Sequence, residues 1–106
     1  MLDTGADGTA LSTRDWQVLG LRTADLAPAT VSSAGVGGLV RTSVEQCALV
    51  LTHDDGRTDA WNIEIELLPA DDVSAYIPSI LGRDILINYR LYMSIAERDL
   101  RLEPLP

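Results

Sequence analysis

Residues 58–67 constrain the fold more than any other stretch of this chain. Trp61, Ile63, Ile65 and Leu67 alternate there with Asn62, Glu64 and Glu66. A period of two fits a strand with one apolar and one wet face, and it does not fit a helix. Ahead of it stand Asp54-Asp55-Gly56-Arg57, a tight-turn signal, and a β-rich run at residues 47–53, so the two runs read as a hairpin. A sheet with one apolar face needs a second layer to cover it. The whole chain has 106 residues, which suits one domain and leaves no room for two. Hydrophobic residues make up 46% of it, too many for a disordered segment, and no apolar run nears the ~18 residues of a membrane span.

The remaining punctuation extends the β reading. Residues 29–33 and 39–44 flank Ala34-Gly35-Val36-Gly37-Gly38, a glycine-rich hairpin tip. Residues 79–81 read as a short buried strand ended by Gly82, and residues 91–96 and 100–102 as a closing hairpin turning over Glu97-Arg98-Asp99. Two short helices interrupt the strands. One runs through Trp16, Val18 and Leu19; Ser12 is its N-cap, Asp15 stands at the position where Glu usually closes a capping box, and Gly20 is its stop. The other covers one or two turns within residues 84–89. Residues 3–8, Asp-Thr-Gly-Ala-Asp-Gly, are too polar and glycine-rich for a strand interior and read as a loop. The expected class is mainly β.

Charge removes several kinds of partner. Sixteen acidic residues against eight basic ones give −8, which repels phosphate backbones and anionic membrane surfaces alike, so neither nucleic acid nor membrane is an expected partner. All eight basic residues are Arg, a bias typical of high-GC coding and hence of a bacterial source. Cys47 is the single cysteine, so no internal disulfide forms. His53-Asp54-Asp55 are too close in sequence to converge on one ion, so no metal or other cofactor is expected. No His stands beside a Ser or Cys motif, which leaves a triad hydrolase without support.

Leu2-Asp3-Thr4-Gly5-Ala6-Asp7, followed about eighty residues later by Ile80-Leu81-Gly82-Arg83-Asp84, resembles the retropepsin-like aspartic proteases. Gly35-Val36-Gly37-Gly38 falls where that family places its flap. The resemblance spans residues 2 to about 103. It implies a small closed β-barrel of the acid-protease type with one or two short helices, and an endopeptidase in which two carboxyls share one proton and activate water. With one Asp-Thr-Gly per chain, the resemblance implies a homodimer acting on polypeptide substrates.

The roles it implies are specific. Asp3 is the catalytic carboxyl, Thr4 bonds across the two-fold axis, and the Gly5 N–H bonds the carboxylate. Ala6 and Asp7 face substrate, Asp7 also pairing with Arg83, and both members of that pair are expected to be partly buried. Gly35, Val36, Gly37 and Gly38 form the flap over substrate. Gly82, Arg83 and Asp84 support the loop, with Gly82 packed where a Cβ would collide. Each has a plainer counterpart: an Asx-turn aspartate, an ordinary hairpin tip, solvated charges.

Only Met1 and Leu2 precede Asp3, where the family normally has a strand or hairpin, so residues 1–106 are expected to form one domain lacking that strand. Its loss leaves a barrel edge without a ladder partner. A catalytically silent dimerisation or peptide-binding module of the same fold is the alternative to the protease, and an unrelated small β-barrel the second. The expected location is cytoplasmic, an upstream targeting or membrane segment aside.

Overall fold

A computed structural model describes residues 1–26, 31–35, 38–70 and 76–106, with side chains from residue 42 onward in the third strand. The described chain is mainly β with two short α-helices. The elements run β1 (Ala10–Leu11), α1 (Thr13–Val18), a 3₁₀ turn (Thr23–Asp25), β2 (Val31–Gly35), β3 (Gly38–Thr52), β4 (Thr58–Leu67), α2 (Arg83–Leu86), β5 (Tyr89–Ser94) and β6 (Asp99–Pro104). One sheet has four strands in the order β1-β4-β3-β2, and a second consists of β5 and β6. No helix among the described residues is long and apolar enough to cross a membrane.

The expected closed barrel is corrected here: among the described residues neither sheet closes on itself. β1 is two residues long and pairs in parallel with Glu66 and Leu67 of β4, too short to carry a ladder onward. The segment expected as a strand at residues 79–81 makes only isolated bridges, Ala10 with Ile80 and Leu2 with Leu81.

β4 has the bounds that alternation implied, and its inward side chains build the core. Ile65 and Leu67 are buried against Trp16, with Leu11, Leu21, Leu26, Cys47 and Ile63 packed around them. Trp16 is fully buried, and its indole N–H donates to the Leu68 carbonyl at 2.8 Å, which satisfies the one polar atom that so large a side chain brings inside. Helix α1 delivers that tryptophan. Ser12 caps it by accepting from the Asp15 N–H at 3.2 Å. Asp15 is one methylene short of the usual Glu, and the Ser79 hydroxyl bridges the gap. It donates to the Asp15 carboxylate and accepts from the Ser12 N–H at 2.8 Å. Gly20, at φ +88°, ends the helix in a conformation that side chains resist.

Two expected strands, at residues 39–44 and 47–53, are one 15-residue strand, β3. Its first part pairs with β2 as far as Thr42, and from Ser43 onward it pairs with β4. Glu45 and Gln46, which read as a break, lie within the ladder, and the Gln46 amide donates across it to Glu64 at 2.8 Å. The closing hairpin begins two residues earlier than alternation implied, and its turn is centred on residues 95–98, with Arg98 at φ 52°.

The β5–β6 hairpin is tied to the main sheet by a polar cluster. The Tyr89 hydroxyl donates to Asp59 at 2.6 Å and accepts from the Trp61 indole at 3.0 Å, while His53 Nε2 lies 2.8 Å from the same carboxylate. Trp61 and Tyr89 meet edge to face at 6.2 Å. The Tyr89 hydroxyl and then His53 hold the Asp59 carboxyl below the usual range, as Ser79 and Ser12 do for Asp15. A carboxyl with a depressed folded-state pKa stabilises fully above its unfolded value, and that contribution is lost as pH falls through the folded value. Thermal stability should therefore hold down to about pH 5 and decline below about pH 4, near the unfolded carboxylate value. Asp59→Asn should flatten that decline in melts recorded from pH 7 to pH 2.5. An unchanged acid limb would show that this cluster carries none of it.

Candidate active site

The loop at residues 3–8 is held from one side by residues 79–84. The Asp3 N–H donates to Leu81 O at 3.1 Å, the Leu81 N–H to Met1 O at 2.8 Å, the Arg83 N–H to Ala6 O at 2.8 Å and the Asp84 N–H to Asp7 O at 3.2 Å. Two segments some eighty residues apart thus share a short run of backbone hydrogen bonds, which fixes the loop without a regular ladder. The Asp3 carboxylate is half-buried and accepts from the Gly5 N–H at 2.9 Å. A Cβ on Gly5 would stand 3.2 Å from that oxygen, tight enough to crowd it. Thr4 and Gly5 are exposed, so the loop presents its tip outward.

Asp84 and Thr9 lock the base of the loop. Asp84 accepts from the Thr9 N–H at 3.1 Å and from its hydroxyl at 2.7 Å, while the Gly82 N–H donates to the Thr9 hydroxyl oxygen at 3.1 Å. Thr9 is buried and was not singled out by the sequence. Its signal was weak, a β-branched residue where the loop turns into β1. Gly82 runs against Gly8 so closely that a Cβ there would lie 2.5 Å from the Gly8 carbonyl carbon.

Asp7 and Arg83 form an ion pair, but its setting differs from the expectation. Their side chains are 91% and 56% exposed, so the pair sits on the surface and not beneath the loop. The backbone bonds of Ala6 and Asp7 to Arg83 and Asp84 already close the two segments, leaving the charges free to face water. An exposed pair contributes about 0.2–1 kcal/mol and weakens with salt. A double-mutant cycle of Asp7→Ala and Arg83→Ala, followed by thermal denaturation, should give a coupling in that range that shrinks at high salt. A coupling of several kcal/mol would place the pair back in a buried role.

Of the flap residues, Gly35 and Gly38 face each other at the end of the β2–β3 ladder; Val36 and Gly37 lie outside the described residues. Cavities of about 520 and 640 Å³ open elsewhere, and no residue of the 3–8 loop lines either. Among the described residues no group of His, Cys, Asp and Glu has the arrangement of a metal site.

No family model and no curated protein matches this chain. Among solved structures, a crystal structure of a retropepsin-like aspartic protease from Rickettsia conorii matches 96% of this chain and 70% of its own, with a TM-score of 0.67 and 24% identity. The fold is retropepsin-like. Within that fold, residues 3–8 and 80–84 are brought together as one loop platform; Asp84 is taken up at its base by Thr9, and near its exposed tip stands the Asp3 carboxylate, braced by the Gly5 N–H. One carboxylate with one donor can accept or release a proton but cannot do both at once. Peptide hydrolysis by carboxyls alone requires a second such group at contact distance.

Proposed function

We propose that residues 1–106 act as one domain that is half of a homodimeric aspartic endopeptidase, in which Asp3 of two copies share a proton and activate water. The observation that carries this reading is the Asp3 carboxylate, bonded by Gly5 N–H at the tip of a loop clamped by residues 80–84, within a retropepsin-like fold. One carboxyl of the pair removes a proton from water while the protonated one donates to the peptide carbonyl. Thr4 bonds the partner loop, Ala6 and Asp7 meet the substrate backbone, and Gly35, Val36, Gly37 and Gly38 cover it. Gly82, Arg83 and Asp84 hold the platform.

The β5–β6 hairpin supports a two-fold assembly. Its register puts Leu91, Met93, Leu100 and Leu102 on one face, and Met93 and Leu100 are 67% and 56% exposed. A two-stranded ribbon with an uncovered apolar face is marginal by itself. A second copy of that face covers both.

Activity should then follow the dimer. Specific activity on an unstructured protein substrate and the sedimenting mass, read over one dilution series, should fall together. Full activity in a monomer overturns the reading. A stable dimer without turnover under any condition leaves the silent module in its place.

A further inference from the structure

The β5–β6 hairpin hangs on one side chain. Among the described residues, the hydrogen bonds that join residues 89–104 to the rest of the chain are the two made by the Tyr89 hydroxyl, which donates to Asp59 at 2.6 Å and accepts from the Trp61 indole at 3.0 Å. Tyr89 opens β5 just beyond α2. Asn88, the residue before it, is tied back to that helix, its side-chain amide donating to Ile85 O at 3.2 Å, so a hinge falls at the Asn88–Tyr89 junction. Past Tyr89 the hairpin and the end of β3 part around the cavity of about 520 Å³, with Leu51 and His53 on one side and Leu100 and Leu102 on the other. Strand alternation puts Tyr89 on the same hairpin face as Leu91, Met93, Leu100 and Leu102, the face assigned above to assembly. Whatever fixes Tyr89 therefore aims that face.

We propose that the bond from Tyr89 to Asp59 is a proton-released latch. Ionised Asp59 holds the hairpin against the main sheet with its apolar face aimed for assembly, and protonation of Asp59 frees the hairpin to swing at the Asn88–Tyr89 junction. The latch stands without the protease reading; its link to assembly rests on that reading. The surrounding groups single out Asp59 as the one that switches. Burial and then the Asp59 bond push the Tyr89 hydroxyl up, so it remains a donor throughout the acid range. His53 of β3 stands with Nε2 2.8 Å from the same carboxylate, and an imidazole can donate from Nε2 whether neutral or charged. Arg57 of the β3–β4 turn pairs with Asp55, and Arg101 of β6 with Asp99 and Glu103. Asp54 and Asp55 line the same cavity, bonded to neither Tyr89 nor Asp59. The Tyr89 hydroxyl and then His53 hold the Asp59 carboxyl below its ordinary range. The latched state is therefore favoured above the released value, and that preference is lost as pH falls through the latched one.

The test is amide exchange read by mass spectrometry on the full chain, at a dilution where it sediments as a monomer. A two-stranded hairpin is marginal once undocked, so its own amides report the latch. Tyr89→Phe keeps the ring against Trp61 and removes the hydroxyl. Protection over residues 89–104 should fall about tenfold or more at pH 7, the scale of a hydrogen bond to a charged group, while residues 58–67 hold theirs. The parent chain should show the same hairpin-specific loss between pH 6 and about pH 3.5, across the ordinary carboxylate range. Asp59→Asn should begin with the looser hairpin at pH 7 and show no acid step, whereas His53→Gln should keep the step. Equal hairpin protection in the parent and Tyr89→Phe chains, or loss from residues 89–104 and 58–67 at one and the same pH, would overturn the latch. At higher concentration the dimer dissociation constant should rise about tenfold in Tyr89→Phe. An unchanged constant beside a loosened hairpin would keep the latch and remove that face from the assembly.

Discussion

Asp3→Asn is expected to lower the rate of peptide cleavage by about 10³-fold or more, the scale of positioned acid–base catalysis, while leaving the fold in place. The amide oxygen of Asn can still accept the Gly5 N–H that the carboxylate accepts at 2.9 Å, so the loop keeps its local bond. What it cannot do is hold or pass the shared proton. The residue lies in a loop outside the hydrophobic core built on Trp16, Ile65 and Leu67, and thermal stability should change by no more than about 0.5 kcal/mol. Cleavage at the parental rate by the variant would remove Asp3 from the chemistry. Unfolding of the variant would assign it a structural role.

Gly82→Ala is expected to be the most destabilising small substitution in the platform. The added methyl would meet the Gly8 carbonyl group, with the carbonyl carbon 2.5 Å away and Gly8 Cα at 3.0 Å. Both are backbone atoms, so relief requires the two segments to part. Parting them strains the Gly82 N–H bond to Thr9 and the Arg83 and Asp84 bonds to residues 6 and 7. Overpacking alone costs about 1–3 kcal/mol, and the strained hydrogen bonds add about 1 kcal/mol each. A loss of about 3 kcal/mol would lower the melting temperature by more than about 10 °C in a domain of this size. Gly8→Ala is the matched control, because nothing lies within 4 Å of a Cβ built there. Equal melting temperatures for the two variants would show that the close approach carries no weight.

Local patterns were legible in the sequence where one residue type decided the geometry. The alternation from Trp61 to Leu67 set β4, Ser12 and Gly20 bracketed α1, and the Asp-Gly turn joined β3 to β4. The fold-level resemblance carried by residues 2–7 and 80–84 agrees with the structural match. Features set by distant partners were not legible. The continuity of β3 through Glu45 and Gln46 rests on pairing with β4, a neighbour that local polarity does not reveal. Ser79 completes the α1 cap from 64 positions away. The Tyr89–Asp59–His53 cluster joins a hairpin tip to a strand that is remote in sequence. The Asp7–Arg83 pairing followed from the resemblance, but its exposure depended on backbone bonds that made burial unnecessary. The barrel expected from the family pattern did not form among the described strands, since β1 offers two residues of ladder.

The central claim is that one active centre takes Asp3 from two chains, and subunit mixing tests it most directly. Parent protein is combined with an equal amount of Asp3→Asn protein, allowed to exchange subunits, and assayed against a mixture stopped before exchange. Random pairing leaves a quarter of the dimers with both carboxyls where half had them before, so activity should fall to about half, in step with mass-spectrometric detection of the mixed dimer. Activity that stays constant while mixed dimers form would contradict the shared centre and give each chain a complete site of its own.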